Sequence, residues 1–143
     1  MAHVVRDLVG NRVLFFVQEN ESVAAVARQM ADYHVGAILV MDHGELRGVF
    51  SERDLMQRVV LERLDPDTTP VHRVMSTNLS TIEDSASLEQ AMEAMHRHNC
   101  RHLPVTRDGR VTGFLSMRDL MDFQLARQTE ELSHMKAYIH GAA

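Results

Sequence analysis

Residues 48–56 read GVFSERDLM, and residues 113–121 read GFLSMRDLM. Each residue of the second stretch lies 65 positions after its equivalent in the first. Traced backward, the same offset joins Gly44 to Gly109, Val40 to Val105, Met30 to Met95 and Ser22 to Ser87. A constant offset over that length makes the chain two copies of one supersecondary unit, so fold and function are to be argued from a pair. The reading divides the chain into residues 1–70, with an N-terminal arm and a linker, and residues 71–143, with a C-terminal helix.

Working outward from the motif, Ser51 and Ser116 stand where an apolar segment turns into a helix. Before each lies a predicted β-hairpin: residues 37–41 and 46–50 around the turn at 42–45, and residues 102–106 and 111–115 around the turn at 107–110. Gly44 and Gly109 fall where a tight turn wants positive φ. Pro104 marks its strand as an edge, or as lacking a ladder bond at that point. Further upstream, Ser22 opens a helix whose buried face is Val23, Val26, Ala27 and Met30, at helical spacing. Leu88, Ala91, Met92 and Met95 repeat that face, with Ser87 and Gln90 forming a capping box. Residues 13–17, VLFFV, predict a strand or extended segment, with a weaker counterpart at 79–82. The first closing helix ends by Leu64, and 65–70, DPDTTP, is the linker. The second runs on to about His140, with an apolar stripe of Leu125, Leu132, Met135 and Ile139. Val4 to Gly10 is a short arm, and residues 71–75 resemble its 5–9 segment. The fold class is therefore α+β (α/β), with the order β-α-β-β-α in each copy.

Composition narrows the function. The 143 residues are 45% hydrophobic, enough for a real core, and the ten methionines read as core filler. A net charge of −5 without any basic run argues against a nucleic-acid partner. Cys100 is the only cysteine, which excludes an internal disulfide and suits a reducing compartment. No apolar run approaches the roughly 20 residues of a membrane helix, and MAHVVRDLVG lacks a signal-peptide pattern. The expectation is a cytoplasmic protein without a membrane partner.

The chemistry rests on S-x-R-D, found as Ser51, Arg53 and Asp54, and as Ser116, Arg118 and Asp119. Two readings stand. In the first, the serine caps a helix and the aspartate favours its positive end. In the second, helix-start N–H groups and the arginine take a phosphate, while the carboxylate accepts bonds from sugar hydroxyls, as a nucleotide site requires.

With VGAILVMDHGELRGVFSERDLM in one copy, NCRHLPVTRDGRVTGFLSMRDLM after VHRVMSTNLSTI in the other, and the YIHG ending at 138–141, the chain resembles the tandem cystathionine-β-synthase (CBS) domain pair, or Bateman module. More narrowly, it looks like bacterial stand-alone two-domain proteins assigned to signal transduction. The resemblance implies two β-α-β-β-α repeats packed with pseudo-two-fold symmetry. It also implies two clefts binding adenine nucleotides such as AMP, ATP or NAD(H), and a homodimer associating through its helices. Under it Asp54 and Asp119 hold ribose, Ser51 and Ser116 accompany them, and Arg53 and Arg118 face phosphate. Gly36, Ala37, Arg101 and His102 flank base or phosphates, and Val26 and Ala91 offer apolar contact to adenine. Thr81 fits a threonine position where the first copy has Phe16; Phe15 and Phe16 either stack on a base or fill that cleft. The cleft containing Asp119 is expected to bind more tightly.

His96, His98, Cys100 and His102 alternate as metal ligands on a strand would, but they straddle a helix end, so no metal is expected. A Cys100/His102 nucleophile pair lacks a glycine-rich elbow and an orienting acid, so no enzyme is expected. The function implied is a regulatory module that senses energy or redox state and signals to an unknown protein effector. The alternatives are a structural or dimerisation module without ligand, or a nucleotide-handling enzyme.

Overall fold

The computed structural model describes residues 3–141. Two three-stranded sheets repeat one topology. In the first, β1 (Phe16–Gln18) runs parallel to β2 (Ala37–Asp42), which pairs antiparallel with β3 (Glu45–Ser51). In the second, β4 (Ile82–Glu83), β5 (His102–Arg107) and β6 (Arg110–Ser116) do the same. Helices α2 (Val23–Tyr33) and α4 (Leu88–Arg97) are the crossovers between the parallel strands. The hairpin turns carry Gly44 at φ 79° and Gly109 at φ 78°, the conformation that glycine adopts without penalty.

The helix starts follow local chemistry. Ala25 N–H donates to Ser22 Oγ at 3.1 Å, and Ser87 and Gln90 cap each other reciprocally. The linker is docked, not loose. Val23 N–H donates to Thr69 O and Ala24 N–H to Pro66 O, both at 2.9 Å, so its carbonyls satisfy the first donors of α2.

Three expectations need correction. The strand read at 13–17 begins only at Phe16, because pairing with β2 starts at Leu39; Val13 is 77% exposed. Its counterpart at 79–82 shortens to Ile82–Glu83. Met92 is exposed, since the buried stripe of α4 is the narrower set Leu88, Ala91 and Met95. Pro104, for its part, lies in the central strand of its sheet, but β4 pairs only Val105 and Thr106, so the flank beside the proline is open. The closing helices also differ. Residues Glu52–Asp54 (α3) continue as a π-helix over Leu55–Val60, while α5 spans Met117–Gly141.

Each core is completed by the segment that precedes the other copy. Val5 and Val9 of α1 (Val5–Val9) are buried with Ile82, Leu88, Leu103 and Leu115. Val71, Val74 and Met75 are buried with Val17, Val26, Ile38 and Phe50. The docking bonds repeat as well. Val5 N–H and Arg6 N–H donate to the carbonyls of Ala86 and Asp84; Val71 N–H and His72 N–H donate to those of Glu21 and Glu19. Each fully buried valine contributes roughly 1.5–3 kcal/mol of transfer free energy, so the exchange binds the halves firmly. It also explains the glycine that opens the repeated motif. A Cβ on Gly48 would lie 2.6 Å from Met75 Sδ, and one on Gly113 would lie 2.8 Å from Val9 Cγ2.

Candidate functional site

The strand-to-helix junction of the first motif faces a cleft of about 1030 Å³ between the halves. One wall comes from the first copy: Gly36 and Ala37 at the start of β2, then Ser51, Arg53 and Asp54. The other comes from the second: the segment after the exchanged arm, with Ser76 and Asn78, and the passage from α4 into β5, with Arg101 and His102. Thr81, Ser116, Arg118 and Asp119 are not part of this lining, and Thr81 is exposed beside β4.

Asp54 is 6% exposed, and both its oxygens are engaged. Ser51 N–H and Ser51 Oγ–H donate to Oδ2 at 3.0 and 3.1 Å, and Asp54 N–H donates back to Ser51 Oγ at 3.2 Å. Ser76 Oγ–H donates to Oδ1 at 3.0 Å, and Arg58 Nε stands 3.7 Å from the same oxygen. The wide π-helical turn presents Arg58, whose Nη1 donates to Met75 O at 2.9 Å and so holds the segment that carries Ser76. The capping role predicted for the motif is therefore present, and the same carboxylate faces an open cleft.

The second motif is built alike and closed differently. Ser116 N–H donates to Asp119 Oδ2 at 2.8 Å, and Asp119 N–H donates to Ser116 Oγ at 3.0 Å. Its other oxygen lies 2.7 Å from Arg12 Nη1, where the first motif has the uncharged Ser76. Phe15 stacks on Tyr33 with centroids 4.2 Å apart, and neither Phe15 nor Phe16 lines the cleft of Asp54. Arg101 and His102, expected to favour Asp119, border the cleft of Asp54. The structure thus gives an open cleft, lined by Arg53 and Arg101 and also by Glu52, to Asp54 and a self-made ion pair to Asp119.

Burial holds the His102 imidazole below its ordinary value; Asp119 and Glu52 oppose that fall and Arg101 adds to it. Burial also pushes the Cys100 thiol up, with a backbone hydrogen bond at His102 partly opposing, so it lacks the low pKa of a reactive thiol. His96 ends a helix, His98 caps it and His102 begins a strand, which breaks the alternation read in the sequence. Among the described residues no three His, Cys, Asp or Glu side chains are placed to hold a metal, and no helix is long and apolar enough to cross a membrane. Ser76, Asn78 and Arg12 were not singled out in the sequence. The one available signal was a mismatch in the arm segments, where setting 71–75 on 5–9 puts Asn78 against Arg12.

The CBS domain profile matches residues 5–61 and 71–126. The CBS domain-containing protein YhcV of Bacillus subtilis is 33% identical over 113 residues, covering 79% of this chain and 80% of its own. A solved structure from Burkholderia ambifaria, described as a candidate signal-transduction protein with CBS domains, superposes with a TM-score of 0.83 at 30% identity. It covers 88% of this chain and 96% of that one. A CBS domain pair solved in complex with 5′-methylthioadenosine and S-adenosyl-L-methionine shares the fold. Its TM-score is 0.79 at 18% identity, over 89% of this chain and 99% of that one. Matched twice, in register with its own repeat and in the topology of its relatives, this chain belongs to the CBS domain family, as a tandem pair.

Proposed function

We propose that the cleft at Asp54 binds an adenine nucleotide (AMP, ATP or NAD(H)) and that the chain is a regulatory module, not an enzyme. It would report energy or redox state to a protein effector in the cytoplasm. The carrying observation is the placement of a buried carboxylate beside open space bordered by Arg53, Arg101 and His102. A ribose diol donates to the carboxylate, and the guanidinium groups of Arg53 and Arg101 meet phosphate. The adenosine ligands of the related domain pair support this class of ligand. Gly36 and Ala37 offer backbone and little bulk at the wall, as a flat base needs. Asp119, Ser116, Arg118 and Thr81 belong to a second, latent site that opens when Arg12 withdraws.

The test is calorimetry with AMP, adenosine, ATP, NADH and S-adenosylmethionine. Saturable heat with AMP, weaker with adenosine, is the expected result; no heat with any of them at millimolar concentration overturns the reading. One observation favours a ligand-free structural module instead, namely that the chain's own donors already occupy Asp54 and Asp119.

The module is further proposed to be a homodimer. Met56 and Val60 on the first closing helix, and Met121 and Leu125 at equivalent places on α5, are all exposed apolar residues.

A further inference from the structure

Beyond residue 123, every described residue of α5 is exposed, so its last five turns stand clear of the body. In proteins most of a helix's stability comes from covering an apolar face and not from intrinsic propensity. Of its exposed apolar residues, Tyr138 stands beside one line, and that line is Met121, Leu125, Leu132, Met135 and Ile139, with Gln128 between them. Their spacing is 4, 3, 4, 3 and 4, the strict 3.5-residue repeat of a two-helix seam, and not the broader stripe of a helix laid on a globular core. At 1.5 Å per residue the seam is about 27 Å long.

We propose that α5 tails of two copies of this chain wind into a parallel two-stranded coiled coil through this seam. Charge selects the occupant. With Leu125, Leu132 and Ile139 at one core position and Met121, Gln128 and Met135 at the other, Glu131 and Lys136 flank the seam on opposite sides. Their separation of five residues brings Glu131 of each parallel helix to Lys136 of the other. Lys136 is the only lysine of the chain. An antiparallel pairing sets Glu131 against Glu131 and packs each Gln128 amide on Leu132, where it finds no hydrogen-bond partner. In the parallel register Gln128 meets Gln128, and a single polar pair of that kind fixes alignment. The inference specifies the geometry of the self-association proposed above and does not depend on nucleotide binding.

The experiment uses the full chain with Cys100→Ser and Ile139→Cys under mild oxidation, followed by mass analysis. The expected result is an intermolecular disulfide, together with a carbodiimide cross-link joining Glu131 to Lys136 between copies. In an antiparallel pair residue 139 faces Met121, about 27 Å from its own counterpart. A disulfide obtained only on mixing Met121→Cys and Ile139→Cys chains therefore overturns the proposal. Leu132→Asp is at an exposed site and leaves the fold intact; it should lower the mass in light scattering to that of a monomer. A dimer mass unmoved by Leu132→Asp overturns the coiled coil while leaving self-association through Met56 and Val60 standing. A monomeric parent chain overturns both.

Discussion

Replacing Asp54 by Asn keeps the shape of the side chain and one accepting oxygen, and removes the charge. In the free protein the carboxylate accepts from Ser51 N–H, Ser51 Oγ–H and Ser76 Oγ–H, all within 3.1 Å. The amide can still accept from Ser51 N–H, and Ser76 can turn its hydroxyl to accept from the new NH₂. The stability lost is then the difference between charged and neutral hydrogen bonds, about 1 kcal/mol. A ribose diol loses more, because its charge-assisted bond of roughly 1.5–3 kcal/mol goes unreplaced. That corresponds to affinity about one to two decades weaker. Because the contact is to sugar, adenosine and AMP should weaken together. Arg101→Ala should weaken AMP more than adenosine, and more at low salt. The assay is calorimetry of each variant with both ligands, beside denaturant unfolding of the free protein. If Asp54→Asn lowers the unfolding midpoint and leaves both affinities intact, the aspartate is a helix cap and nothing more. If Asp119→Asn abolishes binding while Asp54→Asn does not, the ligand sits in the other cleft.

Arg12→Ala releases the carboxylate held at 2.7 Å; calorimetric stoichiometry for AMP should rise from one toward two per chain, and an unchanged value counts against the latent second site. Gly48→Ala puts a Cβ 2.6 Å from Met75 Sδ and 2.8 Å from the Ser76 carbonyl; overpacking of this kind costs about 1–3 kcal/mol. Denaturant unfolding should show the loss, and a variant as stable as the parent would mean that the exchanged arm yields freely. His102, held below its ordinary value by burial, stays neutral in the fold at pH values where the unfolded imidazole takes a proton. Its contribution to stability is thus complete above the ordinary value and lost as pH falls through the folded one. Thermal unfolding from pH 7.5 to 5.5 should fall less steeply for His102→Gln than for the parent, and parallel curves would refute it.

What the repeat made legible was local. Ser22, Ser51, Ser87 and Ser116 were read as helix caps, and each accepts the N–H expected of it. The hairpins followed from their glycines and apolar runs. What stayed hidden depends on which half a segment packs against. Val5 and Val71 carry the same apolar spacing whether they close their own half or the other, and only the folded chain decides between these. Arg12 shows no pattern that points to Asp119, far along the chain. The placement of Arg101 and His102 was hidden for the same reason: both line the cleft of Asp54, in the other copy, although His102 also feels the charge of Asp119. The apolar run at 13–17 left open whether it was a strand or only extended; pairing with β2 begins at Phe16 because β2 offers no partner earlier.

The crossed arms decide what a cut would do. A chain nicked in the 65–70 linker does not fall into two independent domains, for the piece ending there lacks Val71, Val74 and Met75, and the piece beginning there lacks Val5 and Val9. Each fragment holds the plug that the other is missing. The nicked protein should therefore stay assembled as a complementing pair, and separated fragments should each be unfolded until they are mixed.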